Sequence, residues 1–230
     1  MKNIFKLNYL LFAVLTLFVF TACEEDEAAP EEENEVEVFT DVKLVFTPAG
    51  GGASVEAAAQ DPDGAGVQEL QVLGSIDLAA NTAYTLTMVI ENCLESPCEL
   101  MNEEIEEEAA EHQFFFAFTE GAFTNPTGNG NLDNASDPIV YNDTDGNGNP
   151  VGLNTSWTTA GASSGTFTVQ LQHQPDVKTA TSGANDGDTD FALTFNLNIN
   201  YILIFKLINT LSTNFRECIF FISNNKKVVS

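Results

Sequence analysis

The segment Asp143-Thr144-Asp145-Gly146-Asn147-Gly148-Asn149 sets oxygen-bearing side chains at alternate positions around glycine. Calcium asks this of a tight loop, because Ca²⁺ gathers several oxygen ligands at once. Asp143, Asp145, Asn147 and Gly148 fall where an EF-hand loop begins. The pattern then departs, with Asn154 at the closing position and strand-like flanks on both sides. Two readings stand: a calcium loop with Asp143, Asp145, Asn147 and Asn149 as ligands, or a turn whose Asn, Asp and Gly residues accept positive φ. Asp61-Pro62-Asp63-Gly64 and Asp186-Gly187-Asp188-Thr189-Asp190 are weaker loops of the same kind. The chain has two histidines, His112 and His173, and Glu111 precedes the first. Imidazole and carboxylate suit Zn²⁺, so Glu111, His112 and His173 form a second candidate set. Cys93 and Cys98 are five residues apart, and a local disulfide is expected, with metal binding as the other possibility. The sequence holds no nucleophile elbow, phosphate-cradling glycine loop or HExxH motif.

Strands must position these groups. Val36 to Phe46, Tyr84 to Ile90, Phe167 to His173 and Phe191 to Ile199 alternate apolar with mostly polar residues, the period of a half-buried strand. Pro48-Ala49-Gly50-Gly51-Gly52 and Asn125-Pro126-Thr127-Gly128-Asn129-Gly130 punctuate the runs as turns. One apolar face per strand predicts two packed sheets. The expected fold is mostly β, an immunoglobulin-like β-sandwich of about seven to nine strands over residues 36–200. Ser96-Pro97-Cys98-Glu99 reads as a capping box with proline at the first helical position, predicting one helix over about 97–111. That helix is crowded with glutamates, and its Glu103–Glu107, Glu104–Glu108 and Glu107–Glu111 pairs repel, as a solvated face tolerates.

Charge divides the chain into three zones. The net charge is −26, from 34 acids and 8 bases. Residues 24–200 hold 33 acids against Lys43 and Lys178, a net −31. That excess excludes nucleic-acid binding, which needs a basic stripe. Residues 1–22 have Lys2 and Lys6, an apolar run from Tyr9 to Phe20 and the small-residue step Thr21-Ala22, the layout of a cleaved signal peptide. Cys23 follows directly, as in a bacterial lipobox, so lipidation at Cys23 is expected. Residues 23–35 read as an extended acidic tether, and Glu24-Glu25-Asp26-Glu27 resembles the signal that exports lipoproteins of Bacteroidota to the outer face of the outer membrane. Residues 201–230 carry one acid and four bases in an apolar, Asn-rich context without a period. They read as an adventitious extension, or as an added strand or partner-binding tail.

Four stretches resemble a family of small acidic lipoproteins from Bacteroidota. They are Thr47 to Gly52, Leu78 to Tyr84, Glu106 to Phe116 and Tyr141 to Leu153. The resemblance covers about residues 1–199 and implies no catalytic residue. Members are sometimes labelled type 1 periplasmic-binding-fold proteins, which implies a two-lobed α/β binder that the strand pattern here does not match. The expected function is therefore that of a surface-exposed, non-enzymatic binding or interaction protein. It would be anchored to the membrane through its lipid, face an unidentified small ligand or protein, and have calcium as a candidate stabiliser. The rival expectations are a solute-binding lipoprotein serving a transporter and a hydrolase using paired carboxylates.

Overall fold

The computed structural model describes residues 37–64 and 69–201. The signal peptide, Cys23, the tether and residues 202–230 lie outside the described residues. Twelve strands run β1 (Asp41–Pro48), β2 (Val55–Gln60), β3 (Gln71–Leu73), β4 (Ser75–Ala79), β5 (Ala83–Asn92), β6 (Glu99–Leu100), β7 (His112–Phe118), β8 (Phe123–Asn125), β9 (Val140–Tyr141), β10 (Asn154–Thr159), β11 (Ser163–His173) and β12 (Asp188–Asn200). Among the described residues one helix, α1 (Asn102–Glu107), lies between β6 and β7.

The strands form two sheets. The first has the order β3-β2-β1-β5-β10-β8, with β6 beside β5 and β9 beside β10; the second has the order β4-β12-β11-β7. Every pairing is antiparallel except β12 with β4. The fold is thus the mostly β, two-sheet sandwich that the alternation predicts. Strands number more than the expected seven to nine because β3, β6, β8 and β9 are only two or three residues long, too short for a period to show. A two-lobed α/β architecture is not what these residues build.

The core lies between the sheets and is built from the alternating positions. Val42, Leu44 and Phe46 of β1, Tyr84, Leu86, Met88 and Ile90 of β5, and the odd-numbered residues from Phe191 to Ile199 of β12 all turn inward. Trp157 of β10 packs edge-on against Phe116, Phe118, Phe123 and Phe167, with ring centroids 5.0–5.5 Å apart. Such edge-to-face pairs each contribute about 0.5–1.5 kcal/mol beyond the area they bury. Its indole N–H donates to Thr155 Oγ1 at 2.7 Å, so the one polar atom of this large ring is satisfied.

The helix is shorter than predicted, six residues instead of a span over 97–111. Cys93 and Cys98 form the expected disulfide, and the chain beyond it returns along β5, with Glu91 opposite Leu100 and Asn92 opposite Glu99. The backbone groups of the predicted first turn therefore belong to a sheet, and the capping box does not form. Met101 takes the N-cap position without a side-chain cap. Asn102 ties α1 to β5, its Oδ1 accepting from Ile90 N–H at 2.8 Å and its Nδ2 donating to Met88 O at 3.0 Å.

Tyr141 closes the far side of β7. Its hydroxyl donates to Phe114 O at 2.6 Å and accepts from Asn131 Nδ2 at 2.9 Å. Burial pushes its phenol up to about 12. An unfolded tyrosine ionises near ~10. The fold therefore favours the neutral phenol, and this contribution is intact below pH ~10 and lost as pH rises towards about 12. Tyr141→Phe should lower stability by about 1–2 kcal/mol at pH 8, and should flatten the alkaline loss in urea titrations between those two pH values.

Candidate functional site

The register of β7 on β11 sets His112 directly opposite His173. Cross-strand partners share a face with their Cβ atoms about 5 Å apart, and here the two rings stack at a centroid distance of 4.7 Å and an interplanar angle of 7°. Both rings are buried, His112 completely. The histidines that the sequence leaves 61 residues apart are thus neighbours.

Carboxylates gather around this pair. Glu37, the first described residue, brings Oε1 to 3.0 Å from His112 Nε2, and its side chain is only 8% exposed. Although close, the two atoms are misaligned for a hydrogen bond, and both are left without one. Glu108, just past α1, approaches from the helix side; together with Glu37, His112 and His173 it offers four ligand atoms within 4.8 Å of one another. Glu111 takes a different place from the one expected. Its Oε2 lies 3.4 Å from His173 Nε2, and it stands half-exposed outside that group of four.

Asp190 arrives through a bulge. Leu171 pairs with Phe191 and Gln172 with Thr189, so Asp190 is the extra residue of β12. A bulge re-aims a side chain that strict alternation would send outward. Burial, reinforced by the Glu37 carboxylate, pushes Asp190 up to about 6, against the opposing pull of the two histidines. Its Oδ2 is buried without a hydrogen-bond partner. The turn entering β12 needs Gly187, with φ +82°, because a Cβ there would stand 2.1 Å from His173 O. Burial works to lower His112, but the Glu37 carboxylate outweighs it and holds the imidazole above its ordinary value. Glu104 is raised by burial and then by Glu37 and Glu108.

A cleft of about 400 Å³ adjoins the cluster. Glu37 and Asp190 belong to both, Asp61 and Glu69 add carboxylates, and Leu70 and Phe191 give it apolar walls. Among the described residues its lining holds no lysine, arginine, histidine, hydroxyl or thiol.

The predicted calcium loop has another occupation. Both Asp143 oxygens accept backbone N–H groups, from Gly152 at 3.0 Å and Asn154 at 3.1 Å. Asp145 Oδ1 accepts from Asn147 N–H and Asn149 N–H, each at 2.8 Å, while Oδ2 faces the Asn149 amide and lies 3.4 Å from Lys178 Nζ. Asn147 is exposed. Asp143 and Asp145 thus spend their oxygens on amides, and the positive charge at the loop is the lysine ammonium. Burial raises Asp145, yet the backbone N–H groups and Lys178 outweigh it and hold it below the usual carboxylate range. Lys178 is buried with it and also donates to Ala109 O at 2.6 Å and His112 O at 2.7 Å. It therefore pins the bend between α1 and β7 that delivers His112. Sequence reasoning missed this role, though Lys178 is one of only two lysines in a zone of net −31. Compared with known proteins, the chain matches no family model, no curated protein and no solved structure.

Lys178→Met should destabilise the fold by about 3–5 kcal/mol, because it leaves a buried carboxylate uncompensated. Adding Asp145→Asn should recover part of that loss in a denaturant double-mutant cycle. Calcium added to the metal-free protein should leave its melting temperature unchanged, since the Asp143 and Asp145 oxygens are already held by amides and an ammonium.

Proposed function

We propose that the protein is a lipid-anchored β-sandwich of the bacterial cell envelope, facing the exterior of the outer membrane, that binds a cationic ligand and catalyses nothing. The observation that carries the binding reading is the cleft beside the histidine pair: four carboxylates line it, two of them with buried oxygens that have no hydrogen-bond partner, and no lysine or arginine is among the described residues of its lining. Such a surface selects positive charge, because a carboxylate removed from water without a partner is costly. Its lining offers shape and charge for holding a ligand and no hydroxyl or thiol nucleophile.

The anchor reading is supported by the basic start, the apolar run, the small-residue step before Cys23 and the acids that follow. One observation favours a second reading, hydrolysis by paired carboxylates. Asp190 titrates near 6, in the range a general acid uses at neutral pH, and it shares a cleft with Asp61 and Glu69. The mark of that reading is glycoside turnover that Asp190→Asn abolishes.

Cys23→Ser should abolish incorporation of labelled fatty acid and move the protein from membrane to soluble fractions. Unchanged labelling would reject the anchor. For the cleft, thermal unfolding is followed with divalent metal salts and, separately, with an organic diamine. Binding to the native state must raise the melting temperature, and no shift with any of them would reject the cation reading.

A further inference from the structure

We propose that Glu37, Glu108, His112 and His173 bind a single zinc ion. The inference goes beyond the cleft reading: it concerns the neighbouring cluster, which shares only Glu37 with the cleft, and it names the ion and its ligands.

The donor set comes first. Two imidazoles and two carboxylates are ordinary zinc ligands, at bond lengths of about 2.0–2.2 Å. Ligand atoms around a tetrahedral ion then stand ~3.3–3.5 Å apart, as follows from those bond lengths. The four groups lie within 4.8 Å of one another, and Glu37 Oε1 is already 3.0 Å from His112 Nε2. Closing by about an ångström completes the shell, a movement within reach of two glutamate side chains.

The second observation is independent of the clustering. Both oxygens of Glu37 and Nε2 of His112 are buried and have no hydrogen-bond partner. The Glu37 side chain is 8% exposed and that of His112 is 0% exposed. Native interiors rarely leave such atoms unmatched, and each one points to a missing partner. His112 Nδ1 lies 3.3 Å from Glu108 O, and a carbonyl only accepts, so Nδ1 carries the proton. Nε2 then faces the Glu37 carboxylate at 3.0 Å without a hydrogen bond, and the positive charge this contact calls for is supplied by a second ring proton or by a metal ion in its place. A backbone carbonyl behind the ligating imidazole is also the support that zinc histidines use to fix tautomer and orientation. Glu111 stands behind His173 in the equivalent way.

Charge agrees. Glu37, Glu104, Glu108, Glu111 and Asp190 surround the pair, and the buried Lys178 is engaged by Asp145 and two carbonyls. A doubly charged ion offsets an excess that no side chain here offsets. Two nitrogen donors favour zinc over calcium or magnesium, which prefer an all-oxygen shell.

The purified full-length chain, stripped with chelator, is titrated with zinc in a calorimeter and melted with and without the ion. One equivalent of zinc and a raised melting temperature are expected. Co²⁺ in place of zinc should give the strong visible bands of a four-coordinate site. His112→Gln and His173→Gln should weaken zinc binding at least about tenfold. If either variant fails to fold, Glu37→Gln and Glu108→Gln, which keep side-chain size, replace them with the same expectation. Glu103→Gln, on the exposed face of α1, should leave affinity unchanged. Zinc binding undiminished in the four ligand variants would overturn the site and assign the ion to surface acids. No zinc binding, with a melting shift from the diamine, would overturn the zinc site and leave the cationic cleft standing.

Discussion

The pairing of β7 with β11 is the constraint on which the rest of the structure depends. Seven residue pairs, from Phe167 opposite Phe118 to His173 opposite His112, fix which side chains of both strands enter the core. A strand slipped by one residue shows its other face. Here the slip would drive Phe114, Phe116, Phe167, Val169 and Leu171 out of the core and separate the histidines from Glu37. Core and site therefore share one register. The same inward alternation that buries phenylalanines through the middle of the two strands ends, at their common edge, on a pair of imidazoles. Hydrophobic burial in the centre thus supplies the rigidity with which polar groups at the end are held.

Charge is managed by segregation. Of the two lysines in the strongly acidic zone, Lys43 reaches Glu56 at 3.8 Å on the surface, a pair of the kind that contributes about 0–1 kcal/mol. Lys178 is buried and bridges Asp145 to the carbonyls of Ala109 and His112. It joins the loop before β10, the bend before β7 and the connection between β11 and β12. Around the histidines the balance is reversed. There carboxylates gather without a base, and burial raises Asp190 and Glu104 because each ionises beside others. Among the described residues the fold thus keeps its buried ammonium, paired with Asp145, apart from the group of acids around the histidines.

Much of the sandwich was legible in the sequence, and the limits follow from length and locality. The runs that became β1, β5, β11 and β12 are long enough for a period of two to stand out, and Cys93 with Cys98 announced their bond by spacing. Strands of two or three residues carry little period: β3 and β9 show only as weak runs near residues 67–73 and 138–142, and β6 and β8 leave none. The helix was overextended because a proline-led capping box is a local signal, whereas residues 99–100 gain more by pairing with β5. The histidines were legible as a candidate pair, since both stood near strand ends. Of their carboxylate partners only Glu111 was named. Glu37 read as a polar position of the run from Val36 to Phe46, and Glu108 was one of many glutamates. Asp190 enters only because a bulge, which leaves no mark in the alternation, turns it inward. The Asp143–Asn149 loop was ambiguous for a physical reason. The oxygens that satisfy a cation equally satisfy the backbone amides of a tight turn, and the ammonium of Lys178 beside Asp145 leaves no mark in the local sequence.

The place of β1 in its sheet has a mechanical consequence. Glu37 leads into the first strand, and β1 is paired on both sides, through six residue pairs to β2 and eight to β5. Tension applied from the N-terminal side therefore pulls along the axis of an interior strand. It loads both ladders in shear, so their hydrogen bonds must give way together instead of peeling one by one from an edge. A domain threaded in this way resists being drawn out from its N-terminal side far better than one pulled by an outer strand.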